Sequence, residues 1–275
     1  QTMITCEKAK FNISGKSGND FAYLPYIEKE EPVRLSQYTL KEVIRQTIFS
    51  IADNESNKLM TGELFEINEN ILKVVSLDGH RISIRKIGLK EDYDDIKVIV
   101  PGKTLSEISK ILNGDNEKEV QIYFSKNHIL FEFDDTIMVS RLIEGEYFKI
   151  DNMLSSDYET KVTVNKKEFL DNIDRAMILI RESDRKPIIL NVTDTEIGLR
   201  VKSAFGSMNS QVSAHKTGRD IMIAFNPKFL VDALRAIDDE TVDLYMMNPK
   251  SPCFIRDEEE QYIYLILPVN FIAEN

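Results

Sequence analysis

Apolar residues recur along this chain with two different periods. Four segments have the spacing of an amphipathic helix, in which side chains at i, i+3, i+4 and i+7 share one face. In 39–52 the face is Leu40, Val43, Ile44, Ile48 and Ile51, and in 103–112 it is Leu105, Ile108, Ile111 and Leu112. In 166–180 it is Phe169, Leu170, Ile173 and Met177, and in 227–237 it is Phe229, Leu230, Ala233, Leu234 and Ile237. Pro227 suits a first helical turn, where its missing N–H goes unused. Between these stretches lie short runs rich in Ile, Val, Tyr and Phe, at 71–75, 97–100, 120–124, 129–133, 188–192, 222–225, 242–246 and 262–267. Bounded by Asn, Asp, Gly or Lys, such runs predict strands, several of them paired as hairpins. The expected fold class is α+β, built on antiparallel sheet.

The order of elements repeats. Lys41-Glu42 and Lys167-Glu168 open two helices 126 positions apart, and Leu64 and Ile71 precede Leu190 and Ile197 by the same interval. Leu105 and Lys110 precede Leu230 and Arg235 by 125. A near-constant offset through helix, strand and helix predicts an internal duplication. Two copies of one module are expected at 31–157 and 158–275, with the boundary in the polar stretch 155–161. Residues 1–30 fit neither copy. Within them 6–13 reads as a strand and 14–19 as a turn, so the segment is expected to be the tail of a further module and a linker.

Composition narrows the functional classes. A chain of 275 residues, 42% hydrophobic, has enough apolar sequence for about two domains, each with its own core. Lys+Arg 35 against Asp+Glu 46 leaves a formal charge of −11, which excludes a uniformly basic coat for nucleic acid but not one basic face. Each predicted helix carries cations beside its apolar stripe: Lys41 and Arg45; Lys103 and Lys110; Lys166, Lys167 and Arg175; Lys228 and Arg235. Acidic residues gather instead at 28–31, 91–95, 134–135 and 257–260, where turns and strand ends are expected. Helices on one side of the sheets would then give an acidic protein a basic lining for a phosphate backbone, read without regard to base sequence. A β-rich interaction scaffold unrelated to DNA is the alternative; cations spread over both faces would favour it.

Motifs for catalysis are missing. Gly15-Lys16-Ser17 has Lys10 where a phosphate loop needs glycine, and no helix pattern follows it. Asp78-Gly79-His80-Arg81 could pair a histidine with an acid, but no nucleophile is placed to join it, and Asp-Gly favours a tight turn. His128 and His215 are isolated, with no metal-ligand spacing. No cofactor or metal is expected. Cys6 and Cys253 stand far apart outside any CxxC pattern, the thiol usage of a cytoplasmic protein. No apolar run approaches the length of a membrane span. The apolar end of the chain, Tyr264-Leu265-Ile266-Leu267-Pro268-Val269, reads as a final core strand or as the lining of a peptide groove.

The remaining motifs are short but ordered. Arg45-Gln46-Thr47 is followed by Gly62-Glu63-Leu64-Phe65 and by Asp78-Gly79-His80-Arg81. Then come Val100-Pro101-Gly102-Lys103, Ser140-Arg141-Leu142-Ile143-Glu144-Gly145, Asp174-Arg175-Ala176, Phe225-Asn226-Pro227 and Leu267-Pro268-Val269. Together they resemble the bacterial sliding clamp, the beta subunit of DNA polymerase III, over the whole chain; only most of the first of the family's three modules has no counterpart. The resemblance implies tandem clamp modules with antiparallel sheets outside and two helices per module on the inner face. Its implied activity is non-catalytic: a processivity factor whose ring encircles duplex DNA and slides.

The resemblance also implies partners: the polymerase III alpha subunit, the clamp loader and other proteins bearing a short clamp-binding motif. Their pocket would be lined by Met60, Leu77, Gly79, His80, Arg81 and Ile82, by Phe148, Asn152 and Met153, and by Asn226, Phe229, Leu265, Ile266, Leu267, Pro268 and Val269. DNA-facing residues would be Lys41, Arg45, Lys58, Lys103, Lys110, Lys167, Arg175, Lys228 and Arg235. The homodimer contact would include Ile178, Leu179 and Ile180, and a chain lacking the first module is expected not to close the usual ring. Phe148, Asn152 and Asn270 depart from the family pattern of Pro, Arg and Arg, and the tail runs on through 272–275.

Overall fold

A computed structural model describes residues 1–21, 23–54, 56–154, 157–181 and 186–271; the predicted tail at 272–275 and the start of the predicted boundary stretch, at 155–156, lie outside them. An antiparallel hairpin opens the chain, β1 (Thr2–Cys6) and β2 (Ala9–Ile13), and Glu7 turns it with φ +48°. The strand expected at 6–13 is therefore corrected: the polar pair Glu7-Lys8 is a turn.

One set of elements follows: β3 (Val33–Ser36), α1 (Gln37–Thr47), β4 (Gly62–Leu77), β5 (Arg81–Pro101), α2 (Gly102–Ile111), β6 (Glu119–Phe124), β7 (His128–Phe133) and β8 (Thr136–Arg141). A second set has the same order: β9 (Thr160–Asn165), α3 (Lys166–Met177), β10 (Ile188–Val192), β11 (Glu196–Ser203), β12 (Gly206–Gly218), β13 (Ile221–Phe225), α4 (Pro227–Ala236), β14 (Thr241–Met246), β15 (Cys253–Arg256) and β16 (Tyr262–Ile266). Two strands of the first set, β4 and β5, stand where the second has four. All pairings are antiparallel. β3-β6-β7-β8 form one sheet, and β13-β10-β11-β12-β9-β14-β15-β16-β5-β4 form a ten-stranded sheet that runs through both sets.

The join is the pairing of β16 with β5, from Tyr262↔Arg85 to Ile266↔Arg81. Three cores result. The first set buries Leu40, Val43 and Ile44 of α1 and Leu105 and Ile108 of α2 against Phe65, Val74 and Ile122. The second buries Phe169, Ile173, Leu230 and Leu234 against Leu190, Ile197 and Leu244. Leu77, Ile82, Ile84, Ile150, Tyr245, Phe254, Ile263 and Leu265 form a third core that straddles the join. At about 1.5–3 kcal/mol for each fully buried aliphatic side chain, that shared cluster is enough to hold the two sets as one body.

Caps set the helix starts. Ser36 Oγ accepts from Thr39 N at 3.0 Å, Asn165 Oδ1 from Glu168 N at 2.9 Å and Asn226 Oδ1 from Lys228 N at 3.1 Å. Two helices end earlier than the periodicity predicts. The Thr47 carbonyl accepts from Ser76 Oγ at 2.5 Å and is lost to the helix, so α1 closes in a 3₁₀ turn at Ile48–Ser50 rather than reaching residue 52. After Met177 the backbone bonds tighten to i→i+3, Leu179 N to Ala176 O at 3.1 Å and Ile180 N to Met177 O at 3.0 Å.

The strands expected at 71–75 and 97–100 are parts of the 16-residue β4 and the 21-residue β5. The acidic run 91–95 accordingly lies within β5, not at a turn. Its side chains are largely exposed, so it carries no apolar alternation, while the backbone ladder to β4 continues with irregular register around Glu69.

The element order supports duplication, but some residue pairs read from sequence shift. By burial, Leu40, Val43, Ile44 and Thr47 correspond to Phe169, Asn172, Ile173 and Ala176, an offset of 129. Lys41-Glu42 and Lys167-Glu168 are thus not counterparts. Phe65 and Leu72, which face the helices, correspond to Leu190 and Ile197; Leu64 lies in the joint core and Ile71 is exposed. Leu105 and Leu230 do match, both fully buried.

Candidate functional site

Three segments converge where β16 lies against β5: the turn at 78–81 between β4 and β5, the first turn of α4, and residues 267–269 after β16. Asp78 builds the turn. Its Oδ1 accepts from the backbone N–H of His80 at 2.9 Å and of Arg81 at 3.1 Å, and Gly79 takes φ +87°, a conformation that L side chains rarely adopt.

Arg81 then turns inward. Its Nε donates to Asp78 Oδ2 at 3.0 Å, its Nη1 to Asp232 Oδ2 of α4 at 2.7 Å, and its Nη2 to the Phe49 carbonyl. The guanidinium lies 4.5 Å from the centroid of the Phe229 ring and 5.5 Å from that of Phe49. Only 7% of Arg81 is exposed, so it braces the site from behind.

The two faces of the seam differ, because side chains alternate along a strand. On one face Leu77, Ile82 and Leu265 are buried, and Met60 and Phe148 pack half-buried against them. On the other lie Arg81 and Ile266; Ile266 is 1% exposed in the second set's core, which removes it from any groove surface. His80 and Phe229 stack with ring centroids 6.1 Å apart and an interplanar angle of 23°. Leu267 N donates to the His80 carbonyl at 2.9 Å and Val269 N to that of Ala224 at 2.8 Å. Those two bonds fix the backbone while leaving Leu267 38% and Val269 37% exposed. Pro268 between them is half-buried, as is Asn226, whose side chain caps α4.

Asn152 and Met153 stand exposed on a 3₁₀ turn, Asp151–Met153, outside the joint cluster. The result is an apolar strip of Phe229, His80, Leu267 and Val269 on an anchored backbone, with Met60 and Phe148 around the end of the sheet. Sequence reading missed Asp78, Asp232 and Phe49 as its supports. Only Asp78 had a local signal, the Asp-Gly turn. A cavity of about 720 Å³ between β5, Lys126-Asn127 and residues 142–147 contains none of the predicted site residues.

The helices lie together as a layer, with α1 touching α2 and α4, and α3 touching α4. Most of their predicted cations are already engaged. Lys41 donates to the Leu112 carbonyl at 3.1 Å, and Arg45 pairs with Glu42 at 2.6 Å and, from the other set, Asp238 at 2.9 Å. Lys110 pairs with Glu107 at 2.8 Å, Lys167 with Asp171 at 2.7 Å, Lys228 with Asp232 at 2.9 Å and Arg235 with Asp174 at 3.1 Å. Arg175 donates to the Asp171 carbonyl at 3.1 Å. Lys58 and Lys103 are exposed and form no ion pair with a described residue. Ile178 is 82% exposed after α3, whereas Leu179 and Ile180 pack half-buried on the core.

Among the described residues no group of three His, Cys, Asp or Glu could hold a metal ion, and no helix is long and apolar enough to cross a membrane. Residues 34–149 match the central domain of the DNA polymerase III beta subunit, and residues 152–270 match its C-terminal domain. A beta sliding clamp of Staphylococcus aureus is 34% identical over 272 residues, 98% of this chain and 72% of that protein. A crystal structure of a DNA polymerase III beta subunit from Eubacterium rectale is 67% identical with a TM-score of 0.93, covering 98% of this chain and 73% of that one. The sliding clamp of Bacillus subtilis is 31% identical, also with a TM-score of 0.93, covering 98% and 72%. The chain belongs to the beta sliding clamp family, the non-catalytic beta subunit of DNA polymerase III.

Proposed function

We propose that this protein is a DNA polymerase processivity factor that encircles duplex DNA without sequence preference and tethers motif-bearing proteins at the seam between its two sets of elements. The partners are the polymerase III alpha subunit, the clamp loader and other carriers of a short apolar motif. The working form is a homodimer, with Ile178, Leu179 and Ile180 at its contact, in the cytoplasm. Modules at 31–157 and 158–275 are the units of the ring. The observation that carries the docking reading is the strip of Phe229, His80, Leu267 and Val269. A few exposed apolar anchors on a rigid backbone are what a short peptide needs.

Titration of a labelled Gln-Leu-Ser-Leu-Phe peptide by fluorescence anisotropy tests it. Saturable binding in the micromolar range is expected. Leu267→Ala should weaken it roughly tenfold, the loss of one well-packed anchor. Because Leu267 is partly exposed and its backbone makes the anchoring bond, the melting temperature should hold. No binding by the folded wild type, or unchanged binding by the variant, would refute the assignment.

The helix layer supports loose contact with DNA. Its nine cations face six carboxylates, a slight positive balance in a chain of −11. Removing one lysine that neutralises a phosphate lowers the slope of log K against log salt by about 0.9. Lys58→Ala and Lys103→Ala should each produce such a change. Lys110→Ala and Lys167→Ala, whose charges are already matched by Glu107 and Asp171, should change it less. Equal effects at all four positions would contradict this ranking.

A further inference from the structure

Asp232 Oδ2 is held by two cations at once, Arg81 Nη1 at 2.7 Å from behind the strip and Lys228 Nζ at 2.9 Å from the surface of α4. Arg81 is buried, whereas the Lys228 side chain is 54% exposed. We propose that Asp232 is a positioning residue that couples the helix surface to the docking strip: the more of its charge Lys228 takes, the less holds Arg81 against Phe229. The inference rests on the docking reading above. A polyanion that draws Lys228 away leaves Oδ2 to Arg81 alone. Arg81 then holds Phe229 and the 78–81 turn more firmly, and the strip is better preorganised for a peptide. By linkage, a bound peptide strengthens anion binding at Lys228 by the same factor.

Arg81 keeps Asp78 and the Phe49 carbonyl when Asp232 is changed, so the fold persists in Asp232→Asn. The test is a double-mutant cycle on the full chain, with the Gln-Leu-Ser-Leu-Phe peptide as probe and the Arg81 Nε–H resonance as a second readout. Lys228→Met should tighten the peptide about threefold, within the usual range of coupling between sites. Asp232→Asn should weaken it about tenfold and Asp232→Glu should restore part of the loss, the scale for losing a charge-assisted hydrogen bond. In the Asp232→Asn background, Lys228→Met should have no effect.

An undiminished Lys228→Met effect in that background would mean that Lys228 touches the peptide directly, and would overturn the coupling. If the wild type binds no peptide, the docking reading fails on its own and the resonance decides. A shift of Arg81 Nε–H on Lys228→Met that disappears in Asp232→Asn supports the coupling, and its absence overturns it.

Discussion

Replacing Arg81 by methionine is expected to cost about 3–5 kcal/mol of folding stability, the range for removing one partner of a buried ion pair. The substitution leaves Asp78 without a cation and Asp232 with Lys228 alone, and it removes the donor from the Phe49 carbonyl. It also strips the cation from the faces of two aromatic rings. In a chain of this size each kcal/mol moves Tm by about 2–4 °C, so calorimetry should register a fall of order 10 °C. A fall of a degree or two would show that Arg81 is a surface group with a free guanidinium. Peptide binding should be lost as well, because the 78–81 turn and Phe229 share this one brace.

The second large effect has the opposite sign. Glu63 on β4 is fully buried, and among the described residues neither of its carboxyl oxygens finds a hydrogen-bond donor. Burial pushes its pKa well above the ordinary 4.5, only partly opposed by the Thr47 hydroxyl nearby. A group whose folded pKa is raised stabilises the fold, relative to its ionised form, below the unfolded value, and that contribution disappears as pH rises through the folded value.

Wild-type stability should therefore carry a falling component from about pH 4.5 upward. Glu63→Met removes both the titration and the unsatisfied acid, in a side chain of similar length. It should stabilise the protein by about 1–3 kcal/mol near neutral pH, the cost of a buried polar group without partners. The advantage over wild type should widen between pH 5 and pH 8, as measured by urea unfolding across that range. A constant difference, or a destabilised variant, would mean that the carboxyl has a partner that it uses.

What the sequence showed and what it hid follow from the range of the interactions. The helix stripes were legible because Leu40, Val43 and Ile44 or Leu230, Ala233 and Leu234 lie within two turns of one another. So were the short strands, where Ile and Val alternate over a buried face. The length of β4 and β5 was not, since five of residues 90–95 are charged and mostly solvated, and the strand continues there through its backbone ladder without an apolar alternation. The end of α1 was hidden for a related reason. It depends on Ser76, 29 positions away, taking the Thr47 carbonyl.

At the site, the Asp78-Gly79 turn and the apolar end of the chain could be read directly, and the family resemblance brought them together. The inward turn of Arg81 could not be read. Besides the local Asp78, its second counter-charge, Asp232, lies 151 positions away on another element, where i,i+4 spacing offered Lys228 as the local partner. The helix cations are visible as a set, but Glu107, Asp171 and Asp232 on the same helices pair with Lys110, Lys167 and Lys228.

The central claim is the place where a partner peptide sits. A Gln-Leu-Ser-Leu-Phe peptide carrying a photoreactive benzophenone in place of its phenylalanine, irradiated with the full chain and mapped by mass spectrometry, tests it directly. Cross-links confined to His80, Phe229 and Leu267–Val269 on one side and Met60 and Phe148 on the other are the predicted result. Cross-links concentrated on β11 and β12, several strands away from the seam in the same sheet, or spread evenly over the surface, would contradict it.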